Sequence, residues 1–139
     1  MRRLSQFVAA LLFLGVAAPT AQAAGILYDC DITKKVKKVE WISPKLVLIF
    51  PEKGQPQVYD SIVLHFYGKP VPVKVTRRGD NLMARWTLKG VRDDQQQLAP
   101  HFDYTAKINT KTMGVHVTAN PVSYPNRWTG RGTCKTRKP

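Results

Sequence analysis

The stretch "NLMARWTL", residues 81–88, alternates without a break, with Leu82, Ala84, Trp86 and Leu88 on one side and Met83, Arg85 and Thr87 on the other. Successive side chains of an extended chain point to opposite faces, so period two marks a strand with one dry face and one wet face. "FDYTAKI" repeats the pattern, setting Phe102, Tyr104, Ala106 and Ile108 against Asp103, Thr105 and Lys107. "MGVHV" repeats it through Met113, Val115 and Val117. Before these lie "ILYDCDI", "VKKVEWI", the apolar run "KLVLIF", "QVYDSIVLHF" and "VPVKVT", and after them "WTGRGTCK". That makes eight or nine strand candidates. The one helix expected is short, within "RDDQQQLA", where Asp93 would cap and Pro100 would stop it.

Turn chemistry sets the order of pairing. "PEKGQP", "RRGDN" and "NTKT" each suit a hairpin connection, so sequence neighbours are expected to pair as a meander. Arg78, Gly79 and Asp80 spell an adhesion tripeptide, but Gly and Asp are also what a tight turn requires, and the turn is the preferred reading. The apolar face of an antiparallel sheet must be covered by closure or by a second sheet. The predicted fold is therefore all-β: a small antiparallel meander forming an up-and-down barrel or strongly curved sheet of about eight strands. A β-sandwich is the alternative.

The first residues point to export. Arg2 and Arg3, an apolar run from Phe7 to Ala18, Pro19, and small residues at Ala21 and Ala23 have the form of a secretory signal cleaved after Ala23. The apolar run is too short for a membrane span, and no later stretch reaches spanning length. The expected organisation is a signal peptide over 1–23 and one all-β domain over 24–139, periplasmic or, alternatively, secreted. Cys30 and Cys134, the only cysteines, stand near the two ends of that domain. Alternation puts Tyr28, Cys30 and Ile32 on one face and Trp128, Gly130, Gly132 and Cys134 on another, so both thiols face inward. In an exported domain this reads as a disulfide. Gly130 and Gly132 would make room for a large neighbour such as an aromatic ring, or mark a bulge. If the end strands pair, Asp29 and Asp31 are expected to face Arg131 or Lys135.

"YDC", a terminal cysteine and an all-strand body resemble small exported barrel proteins such as the periplasmic lysozyme inhibitors. The resemblance covers the two ends and no functional loop. It implies a barrel and nothing about site residues, and inhibition of cationic lysozymes offers no role for a strongly basic chain.

Catalysis is not expected. Ser43, Ser61 and Ser123 sit in no G-x-S-x-G elbow, and there is no dinucleotide or phosphate loop. His65, His101 and His116 lack ligand spacing, so neither metal nor cofactor is expected. What stands out is charge: 22 Lys and Arg against nine Asp and Glu over 139 residues. Without residues 1–23, 20 cations against nine acids leave +11, and after Asp103 there are seven cations and no acid. A chain this basic is drawn to polyanions. The expected function is a non-catalytic binding module for an anionic envelope polymer or lipid surface, with nucleic acid not favoured. The candidate contacts are Lys34, Lys35, Lys37 and Lys38 with Arg131, Lys135, Arg137 and Lys138, and Tyr124 or Trp128 as an added stacking or interfacial contact. The alternatives are a carrier of a small apolar ligand in a barrel cavity, with Trp41, Trp86, Phe102 and Tyr104 lining it, or an accessory subunit of an exported assembly. Mass spectrometry of the exported protein should show a chain beginning at Ala24; an intact amino terminus on exported material would contradict the signal.

Overall fold

The computed structural model describes residues 25–35, 40–92, 95–98 and 101–138. The expected signal peptide, Lys37 and Lys38, and the proposed helix ends Asp93 and Pro100 lie outside them. Nine strands and one helix follow in order: β1 (Ile26–Lys35), β2 (Lys45–Phe50), β3 (Gln57–Asp60), α1 (Ser61–Tyr67), β4 (Val71–Pro72), β5 (Lys74–Arg78), β6 (Asn81–Leu88), β7 (Phe102–Asn109), β8 (Gly114–Pro121) and β9 (Trp128–Arg137). All pair antiparallel in one sheet of order β4-β3-β2-β1-β9-β8-β7-β6-β5.

The fold is thus the expected all-β curved sheet, wrapped into a nearly closed barrel. The three hairpins join the strands their turn residues predicted, and β1 pairs with β9 so that the first and last strands lie inside the sheet. The gap falls between β4 and β5, which follow one another through the single residue Val73. Pro72 fits there because an edge strand tolerates the missing N–H. Buried Val73 donates its own N–H to the Pro56 carbonyl at 3.0 Å.

Alternation translates directly into burial along β6, where Leu82, Ala84, Trp86 and Leu88 are buried, and along β7, where Phe102, Tyr104, Ala106 and Ile108 are. Trp86 and Tyr104 oppose one another in register and stack at 5.2 Å. The Tyr104 hydroxyl donates to the Trp41 carbonyl at 2.9 Å, and the Trp41 ring stacks 4.1 Å from Phe102. The aromatics considered as a ligand lining are therefore packed on one another.

Cys30 and Cys134 form the disulfide, directly opposite in the β1–β9 register with Cα atoms 3.9 Å apart. The Cys134 N–H is turned to Met113 of the β7–β8 turn, at 2.8 Å, which makes the cysteines a narrow, non-hydrogen-bonded pair across β1 and β9. The two glycines of β9 have different reasons. A Cβ on Gly130 would stand 2.6 Å from Ile32 Cγ2 and 2.8 Å from Ile42 Cγ2, so the space is filled by isoleucines and not by an aromatic ring. At Gly132 a Cβ would run into the Asp31 carbonyl, where β1 bulges between Ile32 and Lys34.

Three sequence expectations are corrected. "QVYDSIVLHF" is a strand only as far as Asp60, and its second half is α1. The Asp60 carboxylate accepts from the Val63 N–H at 2.7 Å, and Gly68 ends the helix in the left-handed region with its N–H on the Leu64 carbonyl. In "VKKVEWI" the described part, Glu40–Ile42, is a turn that buries Ile42, and "RDDQQQLA" forms no helix in its described residues, Arg92 bridging to Leu98 instead. The expected facing of Asp29 and Lys135 is found in the β1–β9 register, while the ion pairs are made by Lys45, 2.8 Å from both Asp29 and Asp31, and by Arg137, 3.1 Å from Asp29.

The disulfide closes a loop with a sequence separation of 104 residues. Chain entropy assigns such a crosslink about 4 to 5 kcal/mol as an upper bound. Cys30→Ser and Cys134→Ser should each lower the melting temperature by a similar amount, and reduction of the native protein should match them; free thiols titrating in the folded protein would refute the staple.

Candidate functional site

The outward residues of the strands form rows once the register is known. One row crosses six strands: Lys34 on β1 opposes Arg131 on β9, Arg131 opposes His116 on β8, His116 opposes Lys107 on β7, and Lys107 opposes Met83 on β6, with Thr76 of β5 at its end. A neighbouring row carries Lys74, Arg85, Thr105, Thr118 and Thr129. Between β5 and β7 the surface dips into an open recess of about 540 Å³ lined by Arg77, Arg78, Arg85 and Lys107 with Thr76, Asn81 and Met83. No acid lines it.

Among the described residues, ion pairs join Lys45 to Asp29 and Asp31, Arg137 to Asp29, and Lys111 to Asp80. None involves Lys34, Lys74, Arg77, Arg78, Arg85, Lys107 or Arg131. The two halves of the outer surface therefore differ. Around β1 and β2, cations are matched by carboxylates, and the hydrogen bond from Lys45, with the charges of Arg137 and Lys135, holds the Asp29 carboxyl below its ordinary value. Across β5 to β9, Lys74 opposes Arg85, and Lys107 and Arg131 flank His116. There the imidazole of His116 is held below its ordinary value, first by partial burial and then by Arg131, Arg127 and Lys107.

Of the eight candidate contacts, the structure brings together Lys34 and Arg131. Lys35 donates its ammonium to the Ile42 carbonyl at 2.9 Å. Lys135, Arg137 and Lys138 are exposed but lie toward the opposite end of β9, because antiparallel pairing sets Lys34 against Arg131 and Leu27 against Arg137. Six residues of strand separate Arg131 from Arg137, about 20 Å. Lys107, Arg85 and Lys74 were missed as members of a site. Their outward direction follows from alternation, but their adjacency depends on register.

His65 lies on α1, His101 begins the run into β7, and His116 is on the outer wall. Among the described residues no group of His, Cys, Asp and Glu is arranged to hold a metal ion, and no helix is long and apolar enough to cross a membrane.

The position of His116 makes the field measurable. Its folded value is lowered, so protonation is resisted below the ordinary imidazole range, and folding stability contributed by the neutral ring is lost as pH falls through the folded value. NMR titration should show the His116 value rising with added salt, as the neighbouring cations are screened, and rising again in Arg131→Gln. A value indifferent to both would mean that burial alone sets it.

No protein-family model matches the chain, and no similar protein was found among curated sequences or solved structures.

Proposed function

We propose that this protein is an exported, non-catalytic module that binds anionic envelope components through the outer wall of its barrel. The observation that carries the reading is the register row Lys34, Arg131, His116 and Lys107 on adjacent interior strands. Cations on an edge strand have a structural use, since they discourage pairing with another chain, and this accounts for Lys74, Arg77 and Arg78 on β5. It does not account for β7, β8 and β9, which are paired on both sides. Like charges directly opposite one another, as Lys34 and Arg131 are, destabilise a sheet, and an external polyanion relieves that cost.

The recess beside the row offers arginine forks suited to phosphate, sulfate or carboxylate groups, with Asn81 and Thr76 as neutral partners. The packed interior, where Tyr104, Leu48, Leu88 and Ile108 are fully buried, favours this outer surface over the carrier alternative. The disulfide accords with folding in an oxidising compartment, and periplasmic localisation is part of the proposal.

Binding of this kind falls steeply with salt, because each contact releases counterions. Retention on heparin should drop strongly between about 50 and 200 mM salt. Replacing Lys34, Lys107 and Arg131 together by Gln should flatten the dependence of log K on log salt by roughly 2 to 3 in slope, and replacing Lys135, Arg137 and Lys138 should flatten it less because Arg137 is already held by Asp29. Affinity should also increase as pH falls, since a bound anion favours protonated His116. Failure to bind any polyanion at low salt, or binding insensitive to salt and to the first triple replacement, would exclude the proposal.

A further inference from the structure

The loop between β8 and β9, residues 122–127, is the one feature of the basic surface that charge does not explain. It follows buried Pro121 and leads into Trp128, and it presents Val122 at 44% and Tyr124 at 59% exposure. Its base is held, because the Val122 N–H donates to the His101 carbonyl at 2.7 Å. Trp128 at its far side is half-buried, opposes Ala119 across the hairpin and stacks on Phe102 at 5.9 Å. The apolar tip is thus fixed to the barrel wall. Exposed Arg127 belongs to the same loop, and Arg131 follows four residues on, opposite Lys34 and His116. The whole segment from Gly114 to Lys138 contains no acid.

We infer that this loop inserts into the headgroup layer of an anionic lipid surface, with Val122 and Tyr124 as the inserted side chains and Arg127, Arg131 and Lys34 against the lipid phosphates. The inference rests on the anion-binding reading of the outer wall and names its partner. Two exposed side chains on one loop are far short of the roughly 800 Å² that each side of a stable protein interface buries. They suit a headgroup layer, where a short aliphatic group meets the first methylenes and a tyrosine ring lies with its hydroxyl toward water. Basic residues at the rim of such a tip gain from the negative surface potential of anionic leaflets. A soluble polyanion matches the cations equally well but leaves Val122 and the Tyr124 ring without a role.

The test compares the purified protein and a Val122→Ser, Tyr124→Ser variant on phosphatidylcholine vesicles, on vesicles that also contain phosphatidylglycerol, and on heparin. The unaltered protein should bind the phosphatidylglycerol vesicles, and the variant should lose about tenfold in affinity for them while keeping its heparin affinity and its melting temperature. A second variant, Tyr124→Trp, should keep vesicle binding, and its added emission should be quenched by lipids brominated on the acyl chains. Equal vesicle binding by the Ser variant, parallel loss on heparin and vesicles, or added emission that brominated lipid leaves unquenched would overturn loop insertion while leaving the anion-binding wall intact. Absence of binding by the unaltered protein to both heparin and anionic vesicles would remove the wall itself.

Discussion

The pairing of β1 with β9 is the interaction on which the rest of the structure depends. Without it the sheet would separate into two ribbons, β4-β3-β2-β1 and β9-β8-β7-β6-β5, each with an uncovered apolar face and one new edge. Four features hold it. The Cys30–Cys134 bridge fixes the register, and Gly132 lets β9 approach the bulged backbone of β1. Gly130 leaves the volume taken up by Ile32 and Ile42, and Arg137 reaches across the outer surface to Asp29. A change in this register would move Arg131 away from Lys34 and expose one of the cysteines, because a one-residue slip turns every side chain to the other face.

The same pairing connects the interior to one end of the barrel. Tyr104 stacks on Trp86 and donates to the Trp41 carbonyl, so β7 fixes the turn that carries Ile42 into the space above Gly130. Buried Asp60 caps α1 beneath that turn. Burial raises the Asp60 carboxyl above its ordinary value, while hydrogen bonds from Val63 and Ile62 oppose the rise. Burial, with the Asp60 charge, also pushes the Tyr104 phenol above its ordinary value, keeping it protonated and available as a donor. The Ser43 and Ser61 hydroxyls, 2.9 Å apart, join the turn to the first residue of the helix. This end is therefore held by a few directed contacts, and the hairpins beside it can present their loops in fixed positions.

What could be read from the sequence follows the physical range of each signal. Alternation is local, so the inward faces of β6, β7 and β9 and the inward cysteines were legible, and so were the three hairpin turns. The helix was not, because Ile62 and Val63 are β-branched and continue the apolar run of β3. Its sign was the cap pair Asp60 and Gly68, eight residues apart. Site composition was harder still. The expected disulfide ties the segment of Lys34, Lys35, Lys37 and Lys38 to the carboxy-terminal cations as a group, whereas antiparallel register sets Lys34 beside Arg131 and leaves Arg137 at the other end of the strand. Lys107 and Arg85 were visibly outward, but nothing local could show that they line one recess.

The distribution of acids is the main support for the proposed anion-binding role of this charge. A basic surface needed only to keep molecules apart can be mixed, as it is around Lys45, where two carboxylates and a second cation neutralise one another locally. The wall from β5 to β9 has Asp103 near one end, where it accepts from the Thr87 hydroxyl, and Asp80 in the turn at the other, paired with Lys111. Between them the row of cations runs without an intervening acid. Lys107 and Arg131 point to solvent on strands paired on both sides, so an Asp or Glu could stand there without disturbing the core, and opposite charges across strands would favour it. On β7, β8 and β9 the neighbouring row has the neutral Thr105, Thr118 and Thr129, whereas this one has Lys107 and Arg131 on either side of His116. Such a row raises the repulsion within the folded state, and a fold stapled at both ends by a disulfide can tolerate that repulsion. The arrangement suits a surface whose missing negative charge is supplied from outside.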